Sequence, residues 1–314
     1  NQFIHNSGTI QIKTATTTKI DFTPNNDSTD INNVTIDHAS CVAEWTHPCT
    51  IAGDLLIKQG TIKSDDGDEA FTVEGDVTVG DGTGSANTAV LGRADDTAAM
   101  TFKSLTIESD GKYIATSGTT TISGTGHCFT DKGTFTHNSG KVEFTGTGGN
   151  AYMGNSSTQE TVFYDLFPEV EAGYILANYK TITVERELHI NSGRIFKINC
   201  GNGNNSLKLG TSSTAGEIHQ DGGGFQFQTN TSNVAKIMAV DTSGLNPWFN
   251  ISGYNIDWDS GGSGSDVELE NGNYNGATVT GGGGVTLTIT GDMEFDAVTV
   301  SGGDTLDLNE KRVN

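Results

Sequence analysis

The sequence predicts an all-β chain that forms a parallel β-helix (β-solenoid) with irregular coils, and a β-sandwich-like C-terminal part is the alternative for its last third. Three observations predict this fold. A strand-turn-strand unit recurs, apolar residues alternate with period two, and helix signals are almost absent. Hydrophobic residues make up only 33% of the 314 residues while glycine supplies 42, a composition that suits a thin core with glycine-rich corners.

The recurring unit consists of a short run that ends at Asn-Ser-Gly, followed by a strand. It opens the chain at Phe3–Ile12, returns nearly letter for letter at Phe135–Phe144, and has a looser copy at Leu188–Ile198. We expect the first two copies to share one corner conformation, with His5 and His137 as corner residues. A positive φ is predicted at each glycine or at the asparagine two residues before it.

The alternation of apolar residues predicts which side chains point into the core. In the strand after the second copy and in the run Thr181–Val184, every second residue is apolar. After the third copy, the apolar residues Ile195 and Ile198 are three positions apart. The predicted inward residues are Val142, Phe144, Ile182, Val184, Ile195 and Ile198.

A Gly-Asp pair followed by apolar alternation gives the length of one coil. It occurs at Gly53-Asp54, Gly75-Asp76 and Gly291-Asp292, and the first two pairs are 22 residues apart. This spacing accommodates three strands of about five residues and three corners. A stack of antiparallel β-sandwiches is the main competitor, because it also has short, closely spaced strands.

Two glycine-rich segments, Gly146–Asn150 and Gly201–Ser206, interrupt the strand pattern. Residues 1–200 are predicted to be β-helix, and residues 201–314 are predicted to be a continuing β-solenoid or a small β domain. The only short segment with helical character is Ser40–Trp45.

The charge balance limits the classes of partner. The chain carries 17 Lys and Arg against 39 Asp and Glu, a net charge of −22. Such a surface lacks the cations that phosphate recognition needs and repels anionic membranes. No apolar run reaches the roughly 20 residues of a membrane helix. We therefore expect no nucleic-acid partner and no membrane association.

Three segments resemble the repeats of β-solenoid virion structural proteins of tailed bacteriophages, which form tail fibres, spikes or capsid decorations. They are Phe135–Gly146, Thr161–Leu166 and Thr181–Gly193. Similar repeats occur in bacterial surface adhesins. The sequence departs from the pattern at Phe167-Pro168-Glu169, where a continuing strand is expected.

This resemblance implies a structural role in assembly or in attachment to the host surface, and a place in the virion. We expect a homotrimer that contacts other virion proteins and a host-surface glycan. A secreted or cell-surface bacterial adhesin is the alternative, and a carbohydrate-active β-helix enzyme is the third reading.

The densest acidic cluster is the candidate metal site. Asp65, Asp66, Asp68 and Glu69 lie on a predicted corner, where hard cations such as Ca²⁺ collect carboxylate oxygens. A solvated corner without an ion is the alternative. Calcium is the only cofactor considered for this cluster, and no other cofactor is predicted. A glycine-rich stretch, Gly261–Val267, matches part of a calcium-binding nonapeptide but occurs once, which favours a loop.

Four other metal-ligand residues are close in sequence, namely His38, Cys41, His47 and Cys49. Their spacing does not match the usual zinc motifs. Zinc, a Cys41–Cys49 disulfide and unlinked thiols are the three alternatives, of which unlinked thiols are favoured.

No intact catalytic signature is present, and we predict that the chain is not an enzyme. Acidic pairs at Asp95-Asp96 and at Asp257 and Asp259 are the candidates for glycan hydrolysis, and Trp45, Trp248 and Trp258 are candidates for stacking on sugar rings. With so many acidic residues, such pairs arise by chance.

An aromatic segment lies between the two glycine breaks. Phe163, Tyr164 and Phe167 are predicted to lie at a contact between subunits, because the lean core leaves little room for them.

Overall fold

A computed structural model of the chain describes residues 7–15, 17–20, 31–66, 69–154, 160–171, 173, 175–177, 181–199, 206–211, 216–221, 224–228, 235–239, 249–252, 255–257, 267–269, 272–280, 286–289, 293–299 and 305–308. These residues form β-strands, turns and bends, and none lies in a helix. Within this part of the chain, no helix is long and apolar enough to cross a membrane. The strands divide between two compact units, Asn1–Thr145 and Gly146–Asn314.

The first unit is a β-solenoid, as the sequence predicts. Its strands are β1 (Thr9–Ile12), β2 (Thr17–Ile20), β3 (Asn33–Trp45), β4 (Cys49–Ile51), β5 (Leu55–Ser64), β6 (Phe71–Val79), β7 (Ala89–Leu91), β8 (Met100–Ile107), β9 (Gly111–Ile114), β10 (Thr119–Ile122), β11 (Gly126–Asp131), β12 (Thr134–Thr136) and β13 (Lys141–Phe144).

Parallel pairing arranges these strands in three columns. The first column joins β1, the starts of β3 and β5, the ends of β6 and β8, and β11. The second joins β2, the ends of β3 and β5, and then β7, β9 and β12. The third joins β4, the starts of β6 and β8, β10 and β13. Because strands one turn apart pair in parallel, the antiparallel sandwich is excluded here.

The core of the first unit is a stack of alternate side chains from all three columns. In β6, for example, Phe71, Val73, Val77 and Val79 are fully buried, while Thr72, Glu74, Asp76 and Thr78 reach solvent. Aromatic rings continue the stack from turn to turn, and the Trp45 and Phe71 rings lie parallel with their centroids 4.3 Å apart. Burying large apolar surface in this narrow interior is the main source of stability.

One corner of the first unit is a polar ladder that explains the Gly-Asp repeat. The Asp54 backbone N–H donates to Asn33 Oδ1 (2.8 Å), and the Asp76 N–H donates to Asp54 Oδ1 (2.8 Å). A Cβ on Gly75 would overlap the carbonyl oxygen of Gly53, so glycine is needed where the turns approach closely. Leu55 pairs with Val77 one turn on, as the 22-residue spacing predicts.

A longer connection between β6 and β7 closes over a buried aspartate. The Asp110 carboxylate accepts hydrogen bonds from the backbone N–H groups of Gly82 (2.9 Å) and Gly84 (3.0 Å). Burial raises the pKa of Asp110, but its backbone hydrogen bonds outweigh burial and bring the pKa below its usual value. This carboxylate holds the connection against the solenoid.

The second unit repeats the three-column plan. Its strands are β14 (Ala151–Met153), β15 (Glu160–Pro168), β16 (Ile175–Ala177), β17 (Thr181–Asn191), β18 (Ile195–Asn199), β19 (Ser206–Leu209), β20 (Gly216–Asp221), β21 (Gly224–Gln228), β22 (Ala235–Ala239), β23 (Phe249–Ser252), β24 (Asn255–Asp257), β25 (Val267–Leu269), β26 (Gly272–Thr280), β27 (Thr286–Ile289), β28 (Met293–Thr299) and β29 (Thr305–Asp307).

The described strand pairings within each column are again parallel. One column runs through β14, β16, β18, β21, β24 and the ends of β26 and β28. Another runs from the starts of β15 and β17 through β19, β22, β25, β27 and β29. The third runs from the ends of β15 and β17 through β20, β23 and the starts of β26 and β28.

The boundary between the units lies at Gly146, inside the first glycine-rich break, whereas the sequence places its division at residue 200. Parallel pairing continues across that position, because β18 pairs with β21. Strand β15 also includes Phe167 and Pro168. The continuing strand expected from the resemblance is therefore present.

Two sequence predictions are wrong. Ser40–Trp45 is not a helical turn but the end of β3, because Cys41, Ala43 and Trp45 alternate into the core with period two. Ile195 is half-exposed and Phe196 is fully buried, so the inward phase of β18 is shifted by one residue. Val142, Phe144, Ile182 and Val184 do point inward. The side chain of Ile198 lies outside the described part of the chain.

Candidate functional site

The predicted calcium ligands lie on the turn between β5 and β6. Asp65, Asp66 and Glu69 each place a carboxylate oxygen within 4.8 Å of the others, while Asp68 lies outside the described residues. The structure therefore brings three of the four predicted ligands together. The prediction of calcium at this turn remains a prediction.

Two neighbouring side chains fix the position of this acidic turn. The Trp45 indole Nε1–H donates to the carbonyl oxygen of Glu69 (3.2 Å), and the Arg93 guanidinium donates to the carbonyl oxygen of Asp65 (2.5 Å). Burial raises the pKa of Glu69, as do a hydrogen bond to Asp66 and the charges of Asp66 and Asp65. Crowded carboxylates of this kind favour a proton or a cation between them.

The four candidate zinc ligands do not converge. Cys41 and Cys49 are separate, buried free thiols in the core, and burial raises the pKa of Cys49 to about 12. His38 Nδ1 instead accepts the backbone N–H of Ser40 (3.1 Å), and His47 is exposed. Among the three alternatives, unlinked thiols are the arrangement that the structure contains.

The candidates for glycan chemistry are used in other ways. Asp96 is buried and accepts hydrogen bonds from Ser64 Oγ (2.5 Å) and the Arg93 N–H (3.1 Å), whereas exposed Asp95 pairs with the Arg93 guanidinium. Burial raises the pKa of Asp96. The indole of Trp45 is buried in the core, so its faces are not open to a sugar ring.

The remaining candidates lie mostly outside the described residues. Asp257 ends strand β24, but its side chain is not described. Asp259, Trp248 and Trp258 lie outside, as does the glycine-rich stretch before Val267.

The predicted interface residues separate into two groups. Phe163 is fully buried in the core of the second unit. The prediction that it lies at a subunit contact is therefore wrong. Tyr164 and Phe167 are half-buried on the outer side of β15. The Tyr164 ring lies under the Arg186 guanidinium at 5.0 Å, and Arg186 is paired with the buried Asp165. A subunit contact at Tyr164 and Phe167 stays a prediction.

A cluster that the sequence analysis missed lies on the outer face of the second unit, and we call it the histidine ladder. Phe167, His189 and His219 occupy successive turns with their rings stacked, at centroid distances of 4.8 Å and then 4.5 Å. His189 and His219 are directly paired in the register of β17 and β20. The ladder is thus a product of strand register.

Polar groups flank the histidine ladder on both sides. Glu187 Oε1 lies 2.7 Å from His189 Nδ1 and 3.9 Å from His219 Nδ1. On the other side, His189 Nε2 lies 3.1 Å from Asn191 Oδ1, and Asn191 Nδ2 donates to Glu169 Oε1 (2.6 Å). Glu187, His189 and His219 form one of the two groups of potential metal ligands in the described part of the chain.

A signal for this cluster is present in the sequence. The phrase Glu-apolar-His occurs at Glu187-Leu188-His189 and again at Glu217-Ile218-His219. In a strand, residues two apart share a face, so such a phrase predicts a carboxylate beside an imidazole, as Glu187 lies beside His189.

No protein-family model matches the chain, and neither a curated protein nor a solved structure matches it. The fold defines the chain as a parallel β-solenoid.

Proposed function

We propose that the protein is a structural protein of a tailed-phage virion, a β-solenoid appendage that serves assembly or attachment to the host surface. The proposal rests on the repeats that resemble such proteins and on the solenoid fold. One observation carries it: within each unit, strands of successive turns pair in parallel, with only local register shifts.

In-register stacking supports a mechanical role. In the first unit, the ladder from Asn33 to Asp54 to Asp76 satisfies a backbone N–H at two successive turns, and Ser104 Oγ also donates to Asp76 (2.9 Å). Because neighbouring turns share both a core and hydrogen bonds, bending the stack would break many contacts at once.

The outer surface supports a role in binding a glycan or another protein. Glu108 pairs with Lys132 (2.8 Å) and Glu44 with Lys63 (3.3 Å), each one turn apart. The acidic excess nevertheless leaves many carboxylates on the surface, which offer hydrogen-bond acceptors to glycan hydroxyls or to a neighbouring protein.

The location of the chain is the decisive test. Antibodies raised against the purified protein, applied to phage particles and to uninfected host cells, are expected to label the tail or the capsid in electron micrographs. Labelling of uninfected cells alone would select the bacterial adhesin. Release of reducing ends from host-surface glycans by the purified protein would select the enzyme instead.

Self-association is tested separately. We expect the double variant Tyr164→Ser, Phe167→Ser to reduce the trimer measured by light scattering, because both rings lie on the outer side of β15. Tyr152→Ser is the matched control, since Tyr152 is half-buried on a different column of the same unit. A monomeric wild type, or an equal effect of the control, would contradict this interface.

A further inference from the structure

We propose that the histidine ladder of the second unit binds a divalent transition-metal ion, with Zn²⁺ as the model ion, through Glu187, His189 and His219. These residues place their ligand atoms within 4.8 Å of one another. Two imidazoles and one carboxylate are a donor set that suits Zn²⁺ and its neighbours in the first transition row. The site would join two adjacent turns of the solenoid.

The hydrogen bonds around His189 point to a cation. The Asn191 amide donates its N–H to Glu169, so its carbonyl oxygen faces His189 Nε2. That nitrogen must therefore carry a proton. A metal-binding histidine commonly has its other ring N–H held in this way by a neighbouring acceptor, which fixes the ring and its tautomer.

With Nε2 protonated, the other nitrogen of His189 is the one that faces Glu187. Nδ1 and the carboxylate oxygen Oε1 are 2.7 Å apart, and each brings a lone pair. The space between them therefore holds either a proton or a metal ion. His219 Nδ1, 3.9 Å from the same oxygen, supplies the third donor.

The three ligand side chains are exposed enough for an ion to reach them, but their imidazole rings must reorient to bind it. The side chains of Glu187, His189 and His219 are 22%, 18% and 36% exposed, so an ion reaches them from solvent. The imidazole rings are parallel, with an interplanar angle of 8°. Since a metal lies close to the plane of each ligating ring, the two rings must tilt toward each other on binding.

The chemistry of this site differs from that of the acidic turn. Asp65, Asp66 and Glu69 offer oxygen only, the ligands that Ca²⁺ selects, whereas nitrogen ligands favour Zn²⁺. Each site therefore serves as a control for the other within one molecule.

Isothermal titration calorimetry of the full chain with zinc chloride at pH 7.5 tests the proposal. We expect the wild type to bind one zinc ion per chain. His189→Gln and His219→Gln should each weaken this binding at least tenfold. The variant Asn191→Ala, which removes the acceptor of the His189 Nε2–H, is expected to weaken binding by about tenfold or more. Lowering the pH to 5.5 should also weaken binding, because protons then compete for the imidazoles.

Control variants separate this site from general binding to histidine. His127→Gln and His47→Gln change exposed histidines of the first unit and should leave the titration unchanged. Asp66→Asn should likewise leave zinc binding unchanged. Circular dichroism of every variant checks that the fold is retained. Should His219→Gln unfold the chain, the visible absorption of bound Co²⁺ in the wild type reports nitrogen ligation without a substitution.

Three outcomes would overturn the proposal. The first is a wild type that binds no zinc at micromolar concentration. The second is zinc binding that survives in the double variant His189→Gln, His219→Gln. The third is equal loss in the His127→Gln control.

Discussion

Two turns with the same sequence, Asn-Ser-Gly, have different conformations in the two units. In the first unit the turn spans His137 to Gly140, closed by a hydrogen bond from the Gly140 N–H to the carbonyl oxygen of His137 (2.9 Å). In the second unit it spans Asn191 to Arg194, closed by the Arg194 N–H and the carbonyl oxygen of Asn191 (3.0 Å). Relative to the Asn-Ser-Gly sequence, the hydrogen-bonded turn of the second unit begins one residue later.

Backbone angles show two turn types. Asn138 and Ser139 both have positive φ, 48° and 56°, a signature of a type I′ turn. In the second unit the glycine has the positive φ, Gly193 at 75°, as at the third position of a type II turn. Ser7, the counterpart of Ser139 in the first copy, has a φ of 60°. The expected positive φ is confirmed at Asn138, and Ser139, which the prediction did not include, also has a positive φ. His5 and Asn6 lie outside the described residues, so the shared corner conformation of the first two copies stays a prediction.

The residue before the asparagine accounts for the difference. His137 Nδ1 accepts the backbone N–H of Ser139 (3.0 Å) and supports serine in a conformation that is unfavourable for it. The second unit has Ile190 at this position, which is buried and offers no acceptor. The left-handed residue is then glycine, for which the conformation is accessible. The inward phase of the following strand shifts accordingly.

The largest expected effect tests this shift of phase. Phe196→Ala should lower the free energy of unfolding by about 3 to 5 kcal/mol, because a fully buried ring is replaced by a cavity. Ile195→Ala, at a half-exposed position, should cost about 1 kcal/mol or less. Urea unfolding measures both, and a larger cost at Ile195 would restore the phase predicted from sequence.

The two turn glycines should respond unequally to alanine. A Cβ on Gly140 would overlap the carbonyl oxygen of Thr116, so Gly140→Ala must shift the backbone and should cost about 3 kcal/mol. A Cβ on Gly193 has no atom within 4 Å, and its cost should be the left-handed conformation alone, about 1 to 2 kcal/mol. Equal costs, compared by urea denaturation, would contradict the distinction.

The hydrogen bond from Ser139 to His137 gives a smaller effect. His137→Ala should cost about 0.5 to 1.5 kcal/mol by removing the acceptor. His137→Asn, which keeps a side-chain acceptor, is the matched control and should cost less. Hydrogen exchange of the Ser139 amide is the direct measurement, and unchanged protection in the alanine variant would count against the bond.

The smallest effect distinguishes the serines. Ser139→Gly should stabilise the first unit by about 0.5 kcal/mol, because glycine relieves a left-handed serine at some cost in chain entropy. Ser192→Gly should instead destabilise the second unit by about 0.5 kcal/mol, since its φ is not positive. Opposite signs in thermal unfolding are expected, and the same sign would weaken the assignment of two turn types.

Sequence periodicity was sufficient for the fold class. Alternation placed Val142 and Phe144 inward, and the Gly-Asp spacing gave the length of one coil. It does not predict the end of β3 at Ser40–Trp45, because the segment is short and its three inward residues also fit a helical turn. It also failed at Ile195, because turn type depends on the acceptor at the position of His137, which an Asn-Ser-Gly match does not contain.

The candidate sites were harder to predict for a related reason. Asp65, Asp66 and Glu69 are neighbours in sequence, so their convergence needs no knowledge of register. His189 and His219 become neighbours only because β17 and β20 pair in one register across a turn longer than the 22-residue spacing of Asp54 and Asp76. Since coil length varies, chain spacing alone does not give such pairs.

The corner ladder of Asn33, Asp54 and Asp76 also gives the first unit a direction. Asn33 and Asp54 each accept the backbone N–H of the following turn, and Asp76 accepts the Ser104 hydroxyl, so an earlier turn offers its acceptor before the next one arrives. Contacts between adjacent turns join residues that are near in sequence, and such a stack can grow by local addition. A chain emerging from the ribosome with its N-terminus first would therefore find each new turn already templated by the one made before it.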